Sequence, residues 1–438
     1  MRRLRVAGNG IVSNTTWLVA CKIAEAALRM VVGMLSARYL GPSNYGLINY
    51  AASLVAFFVP IMRLGLQATL VQEYVDRKNA DGVIIGTSMA MNTVSAVACV
   101  VGVCSVSMLT NWGETDTILI CALYSVSLLF QGLEMLQYWF HAKLLSKYYA
   151  VAMLIAYTVM SCYKLGLLIL GKNVYWFALS VAVEYAVAGI LLLVFCQKVG
   201  RHRIRIDVSL AKELFSKSRY YVIAMLMTVV YCNISHILLK LMASETENGY
   251  FATAMSCAHI SGFVFNAIID TARPVVLKSL HRSQNAFETN VLRTYHIILL
   301  LSVSQALFFT FFSWLIIPLL YGDAYRPAIP ILQILAWQVP FVHVEAIRNI
   351  WFLGKQKHSI VGVINTIGAI LSVVLNFVLI PQWGACGAAL ATTVSQAFVS
   401  VGIGVFLKPV RENNCLIIKS LHPRCWKDMF YMFLSICK

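Results

Sequence analysis

The sequence predicts an all-α, polytopic membrane protein of about twelve transmembrane helices arranged as two six-helix lobes. Three observations carry that expectation. The chain has 438 residues, of which 60% are apolar and only 12% charged, about half the charged share of an average soluble domain. A spanning helix needs roughly 20 apolar residues, so twelve would use ~240, close to the whole apolar inventory. The apolar runs are continuous rather than alternating, which excludes an outer-membrane barrel. The same composition excludes a soluble globular protein, a secreted disulfide scaffold and a disordered chain.

The expected spans are 11–37, 45–68, 83–109, 117–140, 147–171, 174–198, 219–240, 249–273, 292–317, 328–351, 360–380 and 383–407. Arg2, Arg3 and Arg5 resemble the basic start of a signal peptide. The stretch after them contains Lys22, Glu25 and Arg29 with no small-residue cleavage pattern, so it is expected to be retained as helix 1. With the first residues cytoplasmic, the inside segments carry 26 Lys and Arg and the outside loops four, with five more inside spans. That bias is the positive-inside signature and places both termini in the cytoplasm. The net charge of +17 then reflects orientation and anionic lipid rather than nucleic acid.

The most basic loop, Lys198 to Arg219, lies near the midpoint. It divides an N-terminal lobe (1–198) from a C-terminal lobe (219–407) through a cytoplasmic linker (199–218), with a cytoplasmic tail at 408–438. Transporters are often built from two such halves. A faint internal echo agrees: Gly46, Ala51 and Ser53 align with Gly249, Ala254 and Ser256. The tail around Trp426–Cys437 is too short to span and is expected on the inner surface. The twelve cysteines are scattered without C-x-x-C spacing and read as small apolar residues.

Ionisable groups deep in a bilayer face a partner or a watery path. Helix 1 puts Lys22, Glu25, Arg29, Gly33 and Ser36 on one face. Two readings fit together: a self-contained ladder with Glu25 between Lys22 and Arg29, and a cavity-lining stripe. Helix 8 repeats the spacing with His259, Gly262, Asn266, Asp270 and Arg273, and Pro274 is expected to break it. Helix 4 offers Ser127, Gln131, Glu134, Tyr138 and His141. Helix 7 offers Asn233, His236 and Lys240, and helix 11 offers Asn365, Gly368, Ser372 and Asn376. One such stripe reads as interhelical hydrogen bonding, but five spread over both halves point to a polar cleft between the lobes. Lys164, Arg63 and Arg348 lie nearer span ends, where snorkelling is the ordinary reading, and Lys164 is kept as a cavity candidate. His343 and His259 read as hydrogen-bonded core residues. No phosphate loop, H-E-x-x-H or G-x-S-x-G elbow occurs, so no enzyme, cofactor or metal is expected.

The run Ser36-Ala-Arg-Tyr-Leu-Gly-Pro-Ser-Asn-Tyr-Gly-Leu-Ile-Asn-Tyr50, followed by Phe57-Phe-Val-Pro and Leu64-Gly-Leu66, resembles the signature of bacterial polysaccharide flippases. Tyr321-Gly-Asp-Ala-Tyr-Arg-Pro to Trp337 and Ile380-Pro-Gln-Trp-Gly-Ala-Cys-Gly-Ala-Ala-Leu-Ala-Thr392 agree. These are similar to the Wzx-type O-antigen translocases of the multidrug/oligosaccharidyl-lipid/polysaccharide exporter superfamily. The resemblance implies two lobes around a central cavity that opens to alternate sides. It also implies export of an undecaprenyl-diphosphate-linked oligosaccharide across the bacterial inner membrane for lipopolysaccharide biosynthesis. Proton or sodium coupling stays open, and polymerase and chain-length proteins are the candidate partners. The alternatives are a multidrug antiporter of the same superfamily and a membrane-embedded glycan polymerase or transferase; the latter needs a substantial outer loop that this chain lacks. The motif residues also have plain structural roles: Gly41-Pro42 and Gly46 for a tight turn, and Gly384, Gly387 and Ala388 for close helix packing.

Overall fold

The computed structural model describes residues 2–77, 80–200, 203–357 and 359–420, with side chains described from Ala24 onward except at 68 and 359. The described chain is helical, as the composition requires in a bilayer, where a helix satisfies every backbone group internally. Nine described helices are long and apolar enough to cross a membrane, or ten when the bent pair Glu245–Ala258 and Gly262–Leu280 is one pass.

Two of these helices hold two passes each. The helix Arg2–Met62 has 61 residues, which if straight would extend about 92 Å, some three bilayer cores. It is interrupted at Gly41, whose φ of 73° is open to glycine and strained for other residues. Contacts on either side prove a reversal. Tyr39 donates to the Lys172 carbonyl at 3.1 Å while Arg29, ten residues earlier, reaches Glu184. Asn111 donates to Tyr50 at 2.9 Å while Ser95 donates to the Ile61 carbonyl. The turns at 111–114 and 170–173 are two passes apart and share an end, so the chain runs toward that end before Gly41 and away from it afterwards. The helix Ser359–Ser400 turns back likewise at Gly384 (φ 51°). A Cβ on Gly387 would lie 2.2 Å from the Leu379 carbonyl oxygen, whereas residues eight apart on a straight helix are separated by about 12 Å. With both reversals the described residues make twelve passes.

The chain divides into two compact units, Met1–Gly249 and Tyr250–Lys438. The packing boundary therefore falls later than the basic linker read from sequence. The reason lies in the Val208–Met242 helix. Asp207 caps it, accepting from the Ser209 and Leu210 amides at 2.8 and 3.3 Å, so the second half of the expected linker is helical. Along its length that helix is tied to the first unit. Ser218 donates to the Leu64 carbonyl at 2.7 Å, Lys217 and Glu213 bridge to Glu73 and Arg77, and Lys240 pairs with Glu114.

In the second unit, the Gly262–Leu280, Gln284–Tyr321, Ala328–Gly354 and Ser359–Ser400 helices pack together. The tail helix Lys408–Ser420 docks on them through Tyr295, which donates to Asn413 at 2.8 Å. The surface placement expected for Trp426–Cys437 concerns residues outside those described.

Candidate functional site

In the first unit the polar groups of five passes converge into one charged chain. It starts at Arg63, expected to snorkel but bonded to Glu134 at 2.7 Å, with side chains 20% and 12% exposed. Glu134 lies in a 3₁₀ stretch, Gly132–Met135, that interrupts the pass Thr115–Ala142, a distortion of the kind that marks functional segments. Its other oxygen accepts from Tyr149 at 3.4 Å. Tyr149 packs against the cluster that contains Tyr157, which leads to the next group. There Arg29 lies 3.7 Å from Glu25 and 3.5 Å from Glu184, with its guanidinium 3.9 Å from the centre of the Tyr157 ring. Half-buried Lys164 lies seven residues after Tyr157 on the Ser146–Ile169 helix, on the same face two turns along.

Helix 1 therefore does not close on itself. The ladder expected for Lys22, Glu25 and Arg29 is opened toward Glu184, a residue the sequence stripes passed over. The Lys22 side chain lies outside the described residues. Among the described groups of this chain, three cations (Arg29, Arg63, Lys164) face three carboxylates (Glu25, Glu134, Glu184). Arg29 is the most open of the cations in these bridges, with 55% of its side chain exposed against 7% for Glu184.

A cavity of about 330 Å³ adjoins the Arg63 end, lined by Ala56, Val59, Pro60, Arg63, Gln67, Met225, Thr228 and Val229. Its size is in the range of small-ligand pockets. One wall is apolar and the other carries Arg63 and Gln67. Gln67 accepts from Arg63 and from Tyr138, each at 3.4 Å, so the cationic wall is pre-oriented.

The second unit is built differently. Its helix-8 stripe is split by a 45° bend between Ala258 and Gly262, so His259 does not continue the face of Asn266, Asp270 and Arg273. Pro274, expected to break the helix, lies inside Gly262–Leu280. The break comes earlier, where side chains take over backbone bonding: Gln305 donates to the Ala258 carbonyl at 2.7 Å and accepts from Ser261. His259 pairs with Gln338 at 3.4 Å. Asn266, Asp270 and Arg273 are exposed, Asp270 and Arg273 lying 3.6 Å apart. Exposed polar groups on a spanning helix require a watery surrounding.

Arg348, also expected to snorkel, is fully buried. It donates to the carbonyls of Val399 and Ser400 and lies 3.6 Å from Glu345. A guanidinium on the last carbonyls of a helix satisfies acceptors that would otherwise be orphaned. On helix 7, His236 bonds to Asn248 at 2.7 Å. Lys240, on the same helix-7 stripe, is buried against Glu114 and Asn111. On helix 11, Asn376 bonds back to the Ser372 carbonyl at 2.7 Å.

The profile of a family described as polysaccharide biosynthesis protein matches residues 11–280. A curated relative, the capsular polysaccharide biosynthesis protein CapF of Staphylococcus aureus, is 22% identical over 91% of this chain and all of its own. Among solved structures, the lipid II flippase MurJ in an inward closed conformation superposes with a TM-score of 0.75 at 12% identity, over 95% of this chain and 92% of that one. An inward-facing multidrug resistance MATE transporter of the MOP superfamily gives 0.69 at 11% identity, over 91% and 99%. At these identities the structural likeness concerns the fold.

Proposed function

This chain belongs to the polysaccharide biosynthesis protein family, and from that premise we propose that it is a flippase for a lipid-linked oligosaccharide. The cargo is a repeat unit, of O-antigen type by its sequence motifs, on undecaprenyl diphosphate. It moves from the cytoplasmic to the periplasmic leaflet of the inner membrane by alternating access, with both termini cytoplasmic. The names of the family and of the capsular relative support the substrate class, and the flippase fold of one structural neighbour supports the reaction.

The observation that carries the reading is Arg29. A diphosphate cannot enter hydrocarbon, because losing its hydration costs tens of kcal/mol by Born estimates. The chain must offer fixed cations beside a wet path. Arg29 is a half-open guanidinium in a spanning helix, held loosely by two carboxylates at 3.5 and 3.7 Å. Both distances exceed those of tight charge-assisted hydrogen bonds. An arriving diphosphate takes the fork of Arg29 and leaves Glu184 with Lys164. The cation is then never without a counter-charge, and no carboxylate is stranded. Arg63, on the wall of the amphipathic cavity, is the second such exchange point, with Glu134 as the group displaced. Lys22 is proposed to extend the cationic stripe. Asn266, Asp270 and Arg273 are proposed to line the path in the second half.

About two negative charges moving outward run down the membrane potential, worth roughly 2.3 kcal/mol per charge per 100 mV, so transport needs no nucleotide. A multidrug antiporter is the second reading, because Glu25, Glu134 and Glu184 balance the cations and an organic cation would compete for them.

Gene deletion with a lipid extract separates the two. Accumulation of lipid-linked oligosaccharide on the cytoplasmic side, reversed by the wild-type chain and not by Arg29→Ala at equal protein level, is the expected result. Unchanged lipid intermediates with raised drug sensitivity would select the antiporter. Topology is checked by reporter fusions. Those after Asn111, Asn173, Glu247, Asp323 and Gln382 are expected to report outside, and those after Asp81, Lys143, Arg205, Ser283, Lys357 and Arg411 inside.

A further inference from the structure

We propose that His343, assisted by His259 and Phe265, is a proton-binding site at the broken helix of the second unit, and that its loading couples transport to proton movement. The coupling half of this statement rests on the transport reading above; the proton site itself does not.

Four observations converge. First, the helix pair Glu245–Ala258 and Gly262–Leu280 is bent at His259–Ser261, and discontinuous helices are where transporters hold coupling ions. Second, His343 is buried, and its Nε2 has no hydrogen-bond partner among the described residues. An unsatisfied buried polar atom is costly, and in the tautomer that carries its hydrogen on Nδ1 the Nε2 lone pair is a vacant acceptor for a proton. Third, Phe265, the fourth residue of the second half-helix, stacks on the His343 ring at 4.2 Å between centroids and 30° between planes. An aromatic face offers little to a neutral imidazole beyond packing but attracts a cation. Fourth, His259 Nε2 lies 3.4 Å from the Oε1 of Gln338, on the same helix as His343. Two imidazolium ions side by side would repel, so the pair takes one proton rather than two.

The chemistry is a single transfer. A proton from water joins the Nε2 lone pair of His343, no bond of the chain breaks, and the proton returns to water at the other face. Nε2 of His343 is buried, so water must reach it before a proton can, and loading is linked to conformation. The other ionisable groups on the elements packed around the His343 helix have duties of their own. Glu345 is bonded to Gln396 and lies beside Arg348, and Asp270 pairs with Arg273. Lys278, Glu288, Arg293, His296, Tyr295 and Tyr321 lie elsewhere along their helices, with Tyr295 on Asn413 and His296 on the Ser420 carbonyl. The Ser359–Ser400 helix carries only Cys386.

The test uses the full-length chain in lipid bilayers with isotope-labelled histidine. Solid-state NMR follows each imidazole through a pH titration, and His343 is assigned as the signal lost in His343→Gln. The expected result is one titrating imidazole whose proton affinity falls about threefold or more in Phe265→Leu, the size of a modest cation–π contribution, and rises in His259→Gln. An imidazole that stays neutral from about pH 4 to 8, or that titrates identically in both backgrounds, overturns the site. Should His343→Gln accumulate poorly, the His343 signal is assigned as the one displaced by removing the stacked ring in Phe265→Leu, and Phe265→Leu and His259→Gln still decide the matter.

Coupling is read separately, as the response of lipid-linked oligosaccharide export to an imposed pH gradient. Wild type is expected to respond and His343→Gln to export without responding, while a wild type indifferent to the gradient overturns the coupling. If gene deletion leaves lipid-linked intermediates unchanged, the transport reading has failed and the titration still stands on its own.

Discussion

Arg29 in the first unit and Arg348 in the second both sit in membrane spans near a glutamate, yet they are held in opposite ways. Arg29 is more than half exposed, and its carboxylate partners stand at 3.5 and 3.7 Å. Arg348 is closed off from solvent and bound to two main-chain carbonyls besides Glu345. A guanidinium on side-chain carboxylates trades partners when another anion arrives. One on backbone carbonyls cannot, because its partners are the end of a helix. The same residue type is thus loosely held by side chains in one place and bolted to main chain in the other, and the wider surroundings match. The first unit joins three cations and three carboxylates in one chain, whereas the break in the second is held by imidazole and amides.

The sharpest way to break this contrast is a pair of substitutions. Arg348→Met is expected to lower stability by about 3–5 kcal/mol, because Glu345 and two carbonyls lose their cation in a dry site. It is read as a drop in thermal unfolding temperature in detergent and in accumulated protein. Arg29→Met is expected to change stability by less than about 1 kcal/mol, as for a solvent-screened pair, and to cut export tenfold or more. Equal thermal losses from the two would end the distinction.

Next in size are Gly46→Ala and Gly249→Ala. A Cβ on either would lie within 2 Å of a backbone oxygen, 1.8 Å from that of Glu245 and 1.9 Å from that of Pro42. Main chain must then move, at about 1–3 kcal/mol of overpacking, measured as the unfolding shift of each single variant.

A double-mutant cycle on Arg29 and Glu184, read by thermal unfolding, is expected to give a coupling of about 0.2–1 kcal/mol. A much larger value would mean the pair is a bolt after all.

The smallest effect belongs to the Glu114–Lys240 bridge. The hydrogen bond from Lys240 holds the Glu114 carboxyl below its ordinary range. Its stabilisation is therefore complete above the unfolded value, about 4.3, and is lost as pH falls through the lower folded value. With Glu114 more than half exposed, Glu114→Gln is expected to cost under about 0.5 kcal/mol at pH 7. Wild type and variant should converge once pH has fallen below that lower folded value. A gap that persists there would contradict the assignment.

Much of this was legible in residue order, for identifiable reasons. Gly41-Pro42 is a backbone signal, and the chain turns there; Gly384, read from sequence as a small residue for close packing, is itself the turn. The span pattern follows from hydrophobic run length, which a bilayer enforces. Partners were harder. Glu184 stands in a long apolar pass with only Ser180 four residues before it to mark a face, so nothing local tied it to Arg29. A lone carboxylate in such a helix was itself the usable sign, since it must find a cation. Arg63 and Arg348 were assigned to the interface because depth along a span says nothing about which neighbour supplies a carboxylate or a free carbonyl. Pro274 was a plausible break, but a proline inside a helix is tolerated where neighbours re-satisfy the backbone. The true bend at His259 was set by Gln305 and Gln338, each many residues away in sequence.

The contact between Gly46 and Gly249 also carries a local symmetry. The offset that pairs these two glycines pairs Pro42 with Glu245 as well, and each glycine abuts the other's counterpart: Gly46 meets Glu245, and Gly249 meets Pro42. Such reciprocity, in which i touches j′ and i′ touches j, is the mark of an isologous contact about a two-fold axis. Here it lies within the first unit and ties the two positions to one another, since a side chain gained at either collides with the backbone of the other's segment.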